Sequence, residues 1–153
     1  MKKLLSLLFI SILLTGCGNN AKEETTGNKK TCSVKDEESN ITIIMDVEGE
    51  NSKVKTVNFS LEMPGAKELS NSKEDLSHED IKKIEKELQD EIGDEIIPGT
   101  KAKFRMSKDK TTCNTKINVA DAEDETLEYI DFDEDFTFDD YIKCLEEEGF
   151  TCK

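Results

Sequence analysis

The sequence predicts an α+β fold: a mostly antiparallel sheet with two helices packed on one face. Three observations predict it. Several stretches alternate apolar and polar residues with the two-residue period of half-buried strands. The turns between them are short, so consecutive strands meet antiparallel. Two further stretches open on a capping box and then carry apolar residues at helical spacing.

Thr31 to Val34 reads as a first short strand, and Lys35 to Asn40 as a turn. Ile41, Ile43, Met45 and Val47 alternate with Thr42, Ile44 and Asp46, which gives the second strand. After the turn at Glu48 to Asn51, Val57, Phe59, Leu61 and Met63 form the inward set of the third. Val54 is out of phase with that set, which predicts a bulge near Lys55 and Thr56. Pro64-Gly65 ends the strand.

Ser77 to Asp80 has the form of a capping box, and Ile81, Ile84, Leu88 and Ile92 then fall on one helical stripe that Gly93 stops. Ala102, Phe104 and Met106 alternate as a fourth strand; Cys113, Thr115, Ile117 and Val119 as a fifth. Ala120 to Asp135 fits a strand or a turn of helix equally well. Thr137 to Asp140 is a second capping box, followed by Phe138, Tyr141, Ile142 and Leu145 as a stripe and Gly149 as a C-cap. Phe150 to Cys152 closes the chain as a short strand, for an order of β-β-β-α-β-β-α-β.

The chain has 153 residues, a formal charge of -14 and 37% charged residues, with aromatics at 6% and no tryptophan. Such a chain supports one small core built from Ile, Leu, Val and Phe. Its acidity argues against a nucleic-acid partner, which needs clustered Lys and Arg, and against adhesion to anionic lipid by charge alone.

The amino terminus has its own pattern. Met1-Lys2-Lys3 is positive, and Leu4 to Leu14 is an apolar run interrupted by Ser6 and Ser11. The run is too short for a bilayer span of about 20 residues and suits a cleaved leader. Leu14-Thr15-Gly16-Cys17 follows, a Leu, two small residues and a Cys, and the segment resembles a bacterial lipoprotein signal peptide. It implies a leader over 1–16, a lipid on Cys17 and a polar tether to residue 30. Two acyl chains on Cys17 suffice for stable anchoring. The expected location is the cell membrane, on its extracytoplasmic face, with residues 31–153 as a single domain.

Further motifs follow in order: the opening TCS, the pair around KVKTVNFSLEMPG, IIPGTKAKFRM after the helix, and the ending FDDYIKCLEEEGFTCK. With LTGC they give the chain a form that resembles the YehR-like small bacterial lipoproteins, over residues 31–153. The resemblance implies an α+β lipoprotein domain. It supplies no catalytic residues, since the family has no assigned activity.

Outside the membrane, Cys32, Cys113, Cys144 and Cys152 form an even set suited to disulfides. Three connectivities are possible. Domain termini often lie close together, which favours Cys32–Cys152, and leaves Cys113 on an inward strand face with Cys144 beside the helix stripe. Loop entropy gives these about 5 and about 4 kcal/mol as upper values; Cys144–Cys152 would contribute only roughly 2.6. No Cys-x-x-Cys is present, so redox use has little support. His78, the one histidine, sits in a helix cap without the partner spacing of a zinc site.

From Asp121 to Glu148 the chain is strongly acidic, with Lys143 its one basic residue. Asp131, Asp133 and Asp135 fall at loop positions 1, 3 and 5 of an EF-hand-like pattern, and Asp139 at position 9. Phe136 replaces the glycine of position 6 and Ile142 the glutamate of position 12, so this is not an EF-hand. An open loop of these aspartates could hold Ca²⁺ weakly, with a Kd of about 10⁻⁴–10⁻³ M; the alternative is a solvated acidic turn leading into a helix N-terminus.

No Gly-x-Ser-x-Gly, P-loop or paired histidines are present. The chain reads as a non-enzymatic domain, without a cofactor, that binds an envelope protein or ligand, or, through the 131–139 loop, Ca²⁺ or a cationic ligand.

Overall fold

The computed structural model describes residues 28–70, 76–94 and 96–153. The leader over 1–16, Cys17 and the tether up to residue 27 lie outside the described residues. Six strands form one antiparallel sheet in the order β4-β5-β3-β2-β1-β6. They are β1 (Asn28–Asp36), β2 (Ile41–Glu50), β3 (Lys53–Pro64), β4 (Lys103–Met106), β5 (Lys110–Asn118) and β6 (Thr151–Cys152). Among the described residues four helices accompany the sheet: α1 (Ala66–Leu69), α2 (His78–Ile92), α3 (Asp124–Tyr129) and α4 (Phe138–Glu147). The class is α+β.

The central hairpin, β2–β3, is made locally. Asn51 and Ser52 have φ of 53° and 63° between the paired Glu50 and Lys53. Two left-handed residues in a two-residue loop are the type I′ turn, whose twist matches that of the strands. Farther in, Glu48 pairs with Thr56 but Gly49 pairs with Val54, so Lys55 is the extra residue of a bulge. That is where the out-of-phase Val54 places it. The bulge lets Val54 join Val57, Phe59, Leu61 and Met63 on the buried side.

β1 begins at Asn28 and pairs Asn28 to Lys30 with Val47 to Gly49. The ordered sheet therefore takes in the last residues of the expected tether, because the long β2 offers partners for them.

The inward rows contain Ile43, Met45 and Val47 of β2, the buried set of β3, and Cys113, Thr115 and Ile117 of β5. Burying each large aliphatic side chain contributes about 1.5–3 kcal/mol. The opposite face carries the polar partners of the alternation.

Both capping boxes form. Ser77 Oγ accepts from Asp80 N at 3.2 Å, and Asp80 Oδ2 accepts from Ser77 N at 3.1 Å. Thr137 and Asp140 repeat the arrangement at 3.2 and 3.1 Å. The two helices then differ. α4 buries Phe138, Tyr141, Ile142, Cys144 and Leu145, and it meets β1, β6 and β3. α2 buries no side chain fully. It meets the sheet at β4, the edge strand, and only Leu88 and Ile92 of its stripe pack against the core.

At that edge α2 supplies hydrogen bonds that a further strand would supply. Gln89 donates through Nε2 to the Ala102 carbonyl at 2.9 Å and accepts from Phe104 N at 3.0 Å. Glu85, one turn earlier, accepts from Met106 N at 2.6 Å. The outward N–H groups of Phe104 and Met106 are thus satisfied by two side chains of one helix face.

α4 docks on the tip of the central hairpin. Phe138 N donates to the Ser52 carbonyl at 2.8 Å, and Lys53 bridges to Thr137. Gly49 makes room: a Cβ there would strike the Phe138 ring and lie 2.8 Å from the Lys53 carbonyl oxygen. Gly149, at φ 94°, ends α4 as expected, with Phe150 N returning to the Leu145 carbonyl at 2.9 Å. Residues 120–135, ambiguous in sequence, form a 3-10 turn (Val119–Asp121) and α3.

Candidate functional site

The expected cation loop follows α3. Asp131 sits there with φ 51° and is half-buried. Phe132 is buried, with its ring edge-on to Tyr141 at 5.2 Å and to Phe136 at 6.2 Å. The backbone between the two phenylalanines is a tight turn: Asp133 Oδ1 accepts from Asp135 N at 2.9 Å, and the Asp133 carbonyl accepts from Phe136 N at 2.9 Å. The turn keeps the aromatic rings inward and leaves Asp133, Glu134 and Asp135 exposed. Asp139 is exposed in the first turn of α4.

Asp131, Asp133, Asp135 and Asp139 therefore do not converge. Among the described residues no three His, Cys, Asp or Glu side chains come together as a metal set. The loop thus presents no preformed set of the expected Ca²⁺ ligands. Spacing placed the carboxylates along the chain, but burial of Phe132 and partial burial of Phe136 set where they point. An acidic cleft of about 580 Å³ remains beside the loop, lined by Asp124, Glu128 and Asp131 among others.

Asp131 is held above the usual carboxylate range, by burial first and by the charge of Glu148 second. Its Oδ2 is buried without a hydrogen-bond partner. Burial likewise pushes the Tyr129 hydroxyl up to about 12. It pushes that of the fully buried Tyr141 higher still, and this hydroxyl donates to the Ile130 carbonyl at 2.9 Å.

Cys32 and Cys152 are bonded, as expected, across directly paired positions of β1 and β6 with a Cα–Cα distance of 4.0 Å. Thr31 and Lys153 exchange backbone hydrogen bonds beside them at 3.1 and 3.0 Å. The second expected bridge is not formed: Cys113 is a buried free thiol, so Cys113–Cys144 is corrected. Cys113 faces the core between its cross-strand partners Leu61 and Phe104. Cys144 belongs to α4, whose contacts centre on β1 and β6. β5 and β1 stand three strand spacings apart, roughly 14 Å, against a Cα reach of about 7 Å for a disulfide. Burial pushes the Cys113 thiol up to about 12, which leaves it protonated and inert. His78 is exposed in the first turn of α2 and lines neither cleft described here.

A second, larger cleft of about 810 Å³ lies against the outward face of the sheet. Register builds its floor. Asp46, Asn58 and Lys116 form one row across β2, β3 and β5. Ser60, Asn114 and Lys103 form the next, across β3, β5 and β4. The segment from Gly99 to Lys101 and the stretch around Asp121 to Thr126 supply the walls. Thr126 Oγ1 donates to the Pro98 carbonyl at 2.7 Å and ties those walls together.

Within the cleft several acceptors are already used. Asp46 takes the Thr31 hydroxyl at 2.5 Å, and Asn114 Oδ1 takes the Ser60 hydroxyl at 2.7 Å. Asp121 takes the Asn118 amide. The sequence reading missed this site because its floor residues are the polar half of an alternation, which reads as solvent-facing until register aligns them.

No family model matches the sequence, and no curated protein matches it. The fold is similar to that of the NMR structure of the Escherichia coli YehR protein. The TM-score is 0.54 and the identity 14%, over 86% of this chain and 93% of that chain. At that identity the likeness is one of fold.

Proposed function

We propose that the chain is a lipid-anchored domain on the extracytoplasmic face of the cell membrane, of the YehR-like lipoprotein kind, that acts by binding an envelope ligand or protein. The observation that carries this reading is the Leu14-Thr15-Gly16-Cys17 box, placed shortly before a domain whose fold resembles YehR. The sheet begins at Asn28, so the stretch after Cys17 reaches at most about 35 Å when fully extended. The domain then works close to the membrane surface. Binding is supported by the large cleft, which offers amides, hydroxyls and charged groups on a preformed floor.

The test is fractionation of cells expressing the wild-type chain and Cys17→Ser. The wild type is expected in the membrane fraction with a radiolabelled acyl chain incorporated, and the variant unlabelled and released after detergent-free lysis. A variant that stays with the membrane would overturn the anchor.

A further inference from the structure

We propose that the cleft on the outward sheet face is a site for a small ligand bearing an oxyanion, a carboxylate or a phosphate; this rests on the binding reading above. The argument is one of unused donors. Asp46 and Asp121 already accept hydrogen bonds from Thr31 and Asn118, and the Asn114 oxygen accepts from Ser60. What the floor and wall leave unengaged, beside the Glu123 carboxylate, is mostly of the opposite kind. Lys101, Lys103 and Lys116 line the cleft and form no ion pair among the described residues, as is also true of lysines outside it such as Lys82 and Lys86; what sets the three apart is that they share one concave surface. In a chain of charge -14, a cleft on which Lys101, Lys103 and Lys116 stand against Asp46, Asp121 and Glu123 is locally balanced in charge rather than acidic. Asn114 adds an amide N–H₂ whose own oxygen is fixed by Ser60, so its donor end is oriented.

The volume of about 810 Å³ falls in the range of small-molecule sites. The backbone positions are set by β-sheet register and by the Thr126 to Pro98 tie, so the Asn114 amide needs little ordering on binding, while the exposed lysines are ordered by the ligand. Asp121 and Glu123 at the wall select for size. They would repel a long polyanion laid across the cleft, while a single anionic group can sit over the lysines. A carboxylate and a phosphate present the same acceptor chemistry, and the probes separate them.

The experiment is an NMR titration of the full chain in detergent with inorganic phosphate, glycerol phosphate and citrate, each at constant ionic strength. Saturable shifts of the Asn58 and Asn114 side-chain amides are expected with at least one probe. Lys101→Gln combined with Lys103→Gln should weaken that probe by about tenfold or more. Asn114→Asp, which places a negative charge in the floor, should weaken it as well. Lys82→Gln with Lys86→Gln, exposed on α2, should leave it unchanged. Each variant is compared only where its backbone amide spectrum keeps the wild-type dispersion. The absence of saturable shifts with all three probes would overturn the proposal, as would equal weakening in the α2 control. Neither outcome bears on the anchor, which is read by fractionation of Cys17→Ser.

Discussion

Asp131 concentrates three costs in one residue. Its φ of 51° is left-handed, its Oδ2 is buried without a partner, and Glu148 adds a like charge. The first cost is modest, since Asp and Asn tolerate this region better than other residues. The other two act on the ionised form, and they raise the folded-state pKa above the usual carboxylate range. The linkage sign follows. Asp131 supports the fold fully below its unfolded pKa, and that support is lost as pH rises through the folded value. Asp131→Asn keeps the left-handed backbone and removes the charge. It should stabilise the fold at neutral pH by roughly 1 kcal/mol once partial exposure is allowed for, and so raise the melting temperature. The advantage should shrink toward zero as pH falls below the ordinary carboxylate range. Thermal denaturation of both proteins from acid to neutral pH reads this directly, and a constant offset at every pH would contradict it. The residue was legible in the sequence as an aspartate in an acidic loop. Its burial was not, because that follows from Phe132 meeting Tyr141 across two elements.

At the scale of elements, local signals and long-range ones separate. The two capping boxes, the Lys55 bulge and the Gly149 stop were all legible, because each is written in a few adjacent residues and satisfied by their own backbone. The sequence marked α2 by an apolar stripe, and a stripe alone argues for a helix laid on a sheet face. What decides its seat is polar. Glu85 and Gln89, one turn apart, terminate the open edge of β4. Nothing in a periodicity reading distinguishes these two from the other charged and polar residues of the helix, since their partners are backbone atoms of another element. Gln89→Leu keeps the side-chain bulk and removes both bonds, leaving Phe104 N–H and the Ala102 carbonyl unpaired. It is expected to cost about 1–3 kcal/mol. It should also promote self-association, because an uncovered edge strand is a template for pairing. Chemical denaturation and light scattering report the two effects. Glu87→Ala, exposed on the same helix, should show neither. A Gln89→Leu protein as stable and monomeric as wild type would mean that water serves the edge as well as the glutamine does.

Over the whole molecule, the disulfide closes the chain on itself. Cys32 and Cys152 are 120 residues apart, and their bond holds the two-residue β6 on β1 at the margin of the sheet. This pairing was legible because chain termini of a single domain lie close together. The second was not, because the choice between Cys113 and other partners depends on which strands α4 covers, and that is a property of the assembled sheet. The same holds for the polar cleft, whose floor is drawn from β2, β3, β5 and β4 and is defined only by their register. β6 has few backbone bonds of its own, so the covalent link carries much of its attachment. A loop of this length gives an entropic stabilisation of about 5 kcal/mol as an upper value. For a domain of this size that corresponds to roughly 10–20 °C in melting temperature. Replacing Cys32 and Cys152 together by Ser should produce a loss of that order, with strand β1 losing hydrogen-exchange protection first around Thr31 to Ser33, where β6 pairs. Cys113→Ala should behave differently. A buried thiol replaced by a methyl leaves a small void worth about 1 kcal/mol, and the melting temperature should still fall on adding reductant, as in the wild type. If Cys113→Ala instead abolished the response to reductant, the thiol would have to be bonded in solution, and the assignment of Cys113 as free would fail.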